Sequence, residues 1–141
     1  MTGTDAPISD DAGHHRDHRR YDAYERHHAE HGDSALIPAA TVVVLSDGDA
    51  GIEALMLRKN SKIVFGGMWV FPGGKIDAAD QVVSDDGATD ELATAAAAAV
   101  REAAEEASVA VDPATLVWFA HWVPPPAMPK RFATFFFAAR H

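Results

Sequence analysis

The sequence predicts an α/β domain in which strands flank one long helix. Three observations carry that expectation. Runs of β-branched or aromatic residues recur at 39–45, 116–123 and 131–139, and a further apolar-rich run lies at 52–58, the composition of buried or half-buried strands. An Ala-rich stretch from about 90 to 107 has helical propensity and spacing. Finally, residues 36–141 hold all 7 Phe and all 3 Trp, whereas 1–35 contain no Val, Leu, Phe or Trp. The foldable part is therefore 36–141, enough for one layered core. Residues 1–35 are expected to be a polar, His-rich, disordered arm.

Within that arm, residues 17–31 can form a charged helix, but no wide apolar stripe is present to dock it. Ala39 to Leu45 (AATVVVL) reads as a buried strand. Asp47 to Gly51 (DGDAG) supplies turn chemistry, and Ile52 to Arg58 reads as the returning strand of a hairpin. A loop over 59–68, closed by Gly66-Gly67, leads to the brief apolar run Trp69-Val70-Phe71, which Pro72-Gly73-Gly74 stops. Residues 75–89 are acidic and loop-like. Thr89 or Asp90 can cap a helix running to about Ala107, with Leu92, Ala96, Val100, Ala103 and Ala107 on the packed face. Leu116 to Val123 and Arg131 to Ala139 are strands, separated by a Pro-rich loop. Trp118, Phe119, Trp122 and Phe135 to Phe137 are expected mainly in the core, and His121 as a packed or hydrogen-bonded histidine.

Composition excludes several function classes. The formal net charge is -9, which argues against nucleic-acid and anionic membrane partners. The absence of cysteine removes disulfides, thiolate metal sites and Cys nucleophiles. No apolar run is long enough to span a bilayer and no secretory h-region is present, so a cytoplasmic location is the expectation.

The chemistry concentrates in Arg101-Glu102-Ala103-Ala104-Glu105-Glu106-Ala107. A helix places carboxylates at i, i+3 and i+4 on one face. Clustered oxygen donors suit a hard divalent cation, although a solvated acidic face is the plainer reading of such a run taken alone. Arg101 precedes Glu105 by four residues and can pair with it. Upstream, Gly73 and Gly74 allow a backbone to approach a ligand closely.

Together these residues resemble the signature of the Nudix hydrolases, G-x5-E-x7-R-E-U-x-E-E-x-G-U, where U is apolar. Gly74 is followed by Asp80 in place of the usual Glu, and Ser108 stands in place of the usual Gly. The pattern's own spacing would put Arg about 14 residues after the first Gly. Here Gly74 and Arg101 are 27 apart, so about 13 extra residues fall within 81–94. At Ser108 a non-Gly helix end should cost on the order of 1 kcal/mol. The flanking stretches 53–58, 65–80 and 121–137 resemble an interrupted-box subgroup that includes peroxisomal coenzyme A diphosphatase-like proteins and actinobacterial relatives.

The resemblance implies an α/β/α sandwich around a mixed sheet over 36–141, and a family sandwich would continue beyond Arg140-His141. The domain is thus expected to be incomplete at its C-terminus, with uncovered apolar surface favouring a homo-oligomer. It also implies hydrolysis of a nucleoside diphosphate linked to another moiety, such as coenzyme A or an acyl-coenzyme A. Mg2+ or Mn2+ would be held by Glu102, Glu105 and Glu106, with Arg101, Glu102 and Glu105 in catalytic roles. Gly73, Gly74, Arg58 and Arg131 are candidate substrate contacts, although surface charge is the competing reading of the two arginines. No Asp or Glu follows residue 112, which leaves a box glutamate, or a residue outside this sequence, as general base. Two readings of other classes stand beside this one. The first is a non-catalytic Nudix-fold nucleotide-binding or interaction module. The second is a metal-binding or interaction role for the arm, where His14/His18 and His27/His31 have the i, i+4 spacing of Zn2+ or Ni2+ ligands but no surrounding core.

Overall fold

A computed structural model describes residues 11–60 and 67–141 of the chain. Most of the loop expected over 59–68, with Gly66, lies outside the described residues. The chain forms two compact units. One contains helix α1 and Pro125–Arg131, and the other contains Leu36–Pro124 with Phe132–His141.

In the first unit, α1 spans Asp11–His31, a longer helix than the charge pattern of 17–31 suggested. Arg20 Nε donates to the Tyr24 hydroxyl at 2.8 Å, and its guanidinium stands 5.8 Å from the Tyr24 ring centre. Gly32, at φ 73°, ends the helix by returning its N–H to the His28 carbonyl at 2.8 Å.

The second unit is a mixed α/β fold. Its main sheet runs β2 (Gly51–Ala54), β1 (Leu36–Gly48), β7 (Arg131–Arg140), β6 (Val117–Trp122), with β5 (Gly73–Lys75) also on β1. The long β1 divides its length between two antiparallel partners. Ala39–Thr41 pair with β5, and Leu45–Gly48 pair with β2 across a tight turn. The strand expected over 52–58 is broken. Its second part, β3 (Leu57–Arg58), pairs with β4 (Trp69–Val70) in a separate ribbon.

Helix α2 (Glu91–Ala107) lies on this sheet and is bounded as its end residues dictate. The Asp90 side chain accepts the Ala93 N–H at 2.9 Å. At the other end Ser108 takes φ 55° and sends its N–H back to the last turn, while Val109 N–H reaches the Ala103 carbonyl. The packed stripe only partly follows the one that hydrophobicity marked: Ala103 is core, and Ala96 and Val100 pack against it. Thr94, Ala95, Ala98, Ala99 and Ala103 are buried, while Leu92 is exposed and Val100 lies at the margin. Small side chains let the helix axis approach the sheet, so close contact falls to alanine and the larger residues are displaced to the flank. The core joins these alanines to Ala40, Val42 and Val44 of β1 and Phe137 and Ala139 of β7.

Two further expectations are corrected. Gly73 and Gly74 form strand β5 rather than ending one. A side chain on Gly73 would strike the β1 backbone, and one on Gly74 would meet the carboxylate of Glu102 from α2. Trp118, Phe119 and Trp122 are exposed, at 49%, 58% and 58%, rather than core. Strand β6 is the sheet's edge, so its rings gain neighbours from one side only. Of the three Phe, Phe137 is core and Phe135 and Phe136 are half-buried. His121 stacks flat on Phe135 at 4.0 Å, exposed on its other side. Among the described residues no helix is long and apolar enough to cross a membrane.

Candidate active site

The buried alanine stripe of α2 continues, one turn on, into Glu102 and Glu106. The same rotation that packs Ala95, Ala98 and Ala99 aims these carboxylates at β5. The Gly73 N–H donates to Glu106 Oε2 at 3.0 Å. A Cβ on Gly74 would fall on the Glu102 carboxylate, 2.7 Å from its Cδ, and one on Gly73 would strike Thr41 and the Ala40 carbonyl. Gly73 is thus required by the closeness of β5 to β1, and Gly74 makes space for the Glu102 carboxylate, rather than either serving a turn.

Arg101 is the hub of the site. Its Nε and Nη2 form a two-pronged pair with Asp80, donating to Oδ1 at 2.9 Å and Oδ2 at 3.0 Å. Nη1 donates to Glu102 Oε1 at 2.9 Å and to Glu105 Oε2 at 3.0 Å, and Nη2 also reaches the Lys75 carbonyl at 3.0 Å. Asp77 Oδ2 stands 3.7 Å away. Asp80 sits on a short 3₁₀ turn, Ala78–Asp80, where it also accepts the Asp77 N–H at 2.8 Å.

The Arg101 hydrogen bond holds the Asp80 carboxyl below its ordinary range. Burial opposes this and the Asp77 N–H assists it. Arg101 is in turn pushed further into its charged form, chiefly by Asp80, against a desolvation cost, with Glu102 and Glu105 adding to the effect. Asp80 therefore emerges as the anchor of Arg101, a pairing that sequence reasoning did not draw. The signal available was its place six residues after Gly74.

Each of the three glutamates is committed through one oxygen. Glu102 Oε2, Glu105 Oε1 and Glu106 Oε1 have no hydrogen-bond partner among the described residues. The three do not converge on one point, since no group of three or more His, Asp or Glu among the described residues is spaced to hold a metal ion. Around one arginine stand Asp77, Asp80, Glu102 and Glu105, a local excess of negative charge that a divalent cation would offset.

The remaining candidates lie on other elements. Arg58 is exposed on β3. Arg131 is not surface charge: it is buried, and its Nη1 donates to the Ser34 carbonyl at 2.9 Å in the first unit. On α1, the His27 and His31 rings stack at 4.4 Å, and His31 Nδ1 lies 3.0 Å from the His27 carbonyl. The side chains of His14 and His15 lie outside the described residues.

The extra residues between Asp80 and α2 form a small closed hairpin. Val83 and Thr89 bridge across it, and Gly87 (φ 81°) turns it. Its base is pinned twice: Asp90 N–H donates to the Val82 carbonyl at 2.9 Å, and Val82 N–H donates to Thr94 Oγ1 at 3.0 Å.

Comparison with known proteins agrees with this architecture. Residues 35–140 match the NUDIX domain family, and the chain belongs to that family. The match and the likeness to a solved Nudix hydrolase together support a hydrolase. That structure, the NUDIX hydrolase from Alicyclobacillus acidocaldarius, is 25% identical with a TM-score of 0.60, over 77% of this chain and 71% of that one. The MutT/nudix family protein from Enterococcus faecalis shares the fold at 16% identity and a TM-score of 0.59, over 87% of this chain and 48% of its own. Shewanella oneidensis NrtR does so at 18% identity and 0.52, over 73% and 42%. The chain therefore spans less than half of these last two proteins. No curated protein matches the sequence.

Proposed function

We propose that this chain hydrolyses the diphosphate of a nucleoside diphosphate linked to another moiety, using Mg2+ or Mn2+. The observation that carries the reading is the α2 carboxylate face. Glu102, Glu105 and Glu106 each keep one oxygen without a hydrogen-bond partner among the described residues, beside the glycine strand β5. Hard carboxylate oxygens in a region of excess negative charge fit a hard divalent cation. When bound, such a cation neutralises phosphate oxygens and lowers the pKa of a bound water.

The chain's own residues divide the remaining work. Asp80 fixes Arg101, and Arg101 fixes one oxygen each of Glu102 and Glu105, so it acts through the carboxylates. The Gly73 N–H orients Glu106. Glu105 is the most open of the Arg101 partners on α2, with its side chain 60% exposed, and is assigned as the base that takes the proton of the attacking water. Arg58 is a candidate contact for the substrate's outer groups. The coenzyme A or acyl-coenzyme A preference rests on the flanking stretches 53–58, 65–80 and 121–137 and on the interrupted box, and a cytoplasmic setting accords with such a substrate.

A second reading is favoured by one observation: the carboxylates do not converge to a metal site. On that reading the chain is a non-catalytic Nudix-fold module that binds nucleotides. A panel of nucleoside diphosphate derivatives, incubated with Mg2+ or with EDTA and analysed by product mass, separates the two. Hydrolysis expected only with Mg2+ supports the enzyme. Binding without turnover on every member supports the module.

A further inference from the structure

Thr94 is the one polar side chain among the buried residues of α2, the rest being alanine. A threonine inside a helix ordinarily turns its hydroxyl back to a carbonyl of the preceding turn. Here Oγ1 accepts a hydrogen bond from outside the helix, the Val82 N–H at 3.0 Å. The hydroxyl also faces the Val82 carbonyl in a long contact of 3.5 Å, and that carbonyl takes the Asp90 N–H at 2.9 Å. Both polar groups of the Val82 backbone are therefore held by the start of α2.

Val82 follows Asp80 by two residues, and Thr94 precedes Arg101 by seven. Helix positions 94, 98, 101 and 105 share one stripe. The clamp on Val82 and the pairing with Asp80 thus fall along the same side of α2, about 10 Å apart along its axis. The segment between them is stiff. Asp80 N–H donates to the Asp77 carbonyl at 3.0 Å, and Asp77 N–H donates to Asp80 Oδ2 at 2.8 Å. Gln81 Nε2 donates to Thr89 Oγ1 at 2.7 Å. A stiff segment fixed at one point can pivot about it, whereas two points fix its direction as well. With Arg101 alone, the Asp80 turn would swing about the ion pair, carrying the 83–89 hairpin at its end.

We propose that Thr94 is a positioning residue for the hydrolytic site. Through Val82 it fixes the place of Asp80, and through Asp80 that of Arg101 and of the Glu102 and Glu105 oxygens that Arg101 holds. Its effect on turnover rests on the proposed hydrolysis; its effect on Arg101 does not. The base of the inserted hairpin serves the site, and its tip does not, because Val82 and Asp90 keep their bond without 83–89.

The test compares three variants of the full chain. Thr94→Val keeps the branched shape and removes the acceptor. Thr94→Ala also lacks the acceptor and is favoured by helix propensity. Thr94→Ser keeps it. The Arg101 Nε–H signal in 15N-edited NMR spectra reports the Asp80 pair directly, because an N–H held in a buried two-pronged pair is protected from exchange with water. Its exchange should be at least ~10-fold faster in Thr94→Val and Thr94→Ala, and within ~2-fold of wild type in Thr94→Ser. On the nucleoside diphosphate derivative that the wild-type chain turns over with Mg2+, the first two variants should lose at least ~10-fold in kcat with KM within ~3-fold. Thr94→Ser should restore kcat. Lower Tm in Thr94→Val and Thr94→Ala with unchanged Arg101 exchange would overturn the proposal and make Thr94 a packing contact. So would a loss of kcat that Thr94→Ser shares in full. A wild-type chain that turns over no derivative would refute the proposed hydrolysis instead, and Arg101 exchange alone would then decide the anchoring.

Discussion

Asp80→Asn isolates the anchor of the site. The change keeps the shape of the side chain but removes the charge that draws two guanidinium nitrogens, and it places an amide donor where an acceptor stood. Asp80 is 5% exposed at its side chain and Arg101 23%, so water replaces little of the lost interaction. A hydrogen bond to a charged group contributes about 1.5–3 kcal/mol, and breaking a buried ion pair costs about 3–5 kcal/mol. Arg101 keeps Glu102, Glu105 and the Lys75 carbonyl as partners, so a loss of about 2–3 kcal/mol is expected. In a domain of this size that is a fall in Tm of roughly 10–15 °C.

The pH dependence gives a second, signed readout. The Asp80 carboxyl is held below its ordinary value in the folded state. Its contribution is therefore complete above the unfolded value of about 3.9 and disappears as pH falls through the lower folded value. Wild-type stability should drop over that acid range, and Asp80→Asn should lack this component of the drop. Thermal melts of both proteins between about pH 2.5 and 7 measure it. A Tm unchanged by the substitution, or the same acid profile in both proteins, would refute the assignment of Asp80 as anchor.

Other expectations concern neighbouring features. Ser108→Gly should raise stability by about 1 kcal/mol, read by urea denaturation, because Ser108 holds φ 55° with a Cβ that glycine lacks. Gly74→Ala should cost little stability, since the obstruction is the movable end of Glu102, yet it should lower turnover at least ~10-fold by displacing that carboxylate. Excising 83–89, so that Val82 and Asp90 are joined at their existing hydrogen bond, should preserve the fold and change substrate preference more than metal affinity. Loss of Mg2+ binding in that deletion would place the hairpin inside the site.

Local chemistry was legible in the sequence wherever one residue decides the outcome. The Asp90 cap, the hairpin turn at 48–51, the end of α2 at Ala107 and the pairing of Arg101 with Glu105 all follow from residues within one helical turn or one tight turn. Features set by tertiary distance were less legible. Hydrophobicity pointed to Leu92, which is exposed, while Val100 packs at the core's flank and the closest approach falls to the alanines. Gly73 and Gly74 read as a strand end because glycine weakens strands, yet they form β5, where a Cβ on Gly73 would strike the β1 backbone and one on Gly74 would meet the Glu102 carboxylate. The rings of 118–122 alternate as core residues do, and nothing local to them reveals that their strand is the sheet's edge. Asp80 and Arg101 are separated by the inserted hairpin, so their pairing belongs to the fold rather than to the spacing.

The central claim is that the α2 carboxylate face holds a divalent cation for hydrolysis. Titration of Mn2+ into the wild-type chain and into Glu105→Gln, followed by electron paramagnetic resonance, tests it most directly. Glu105 is largely exposed, so the variant should keep its Tm within a few tenths of a kcal/mol of stability. The account predicts a specific Mn2+ site in the wild-type chain that Mg2+ displaces, weakened at least ~10-fold in Glu105→Gln. Equal Mn2+ binding by the two proteins, or no specific binding by the wild-type chain, would contradict it.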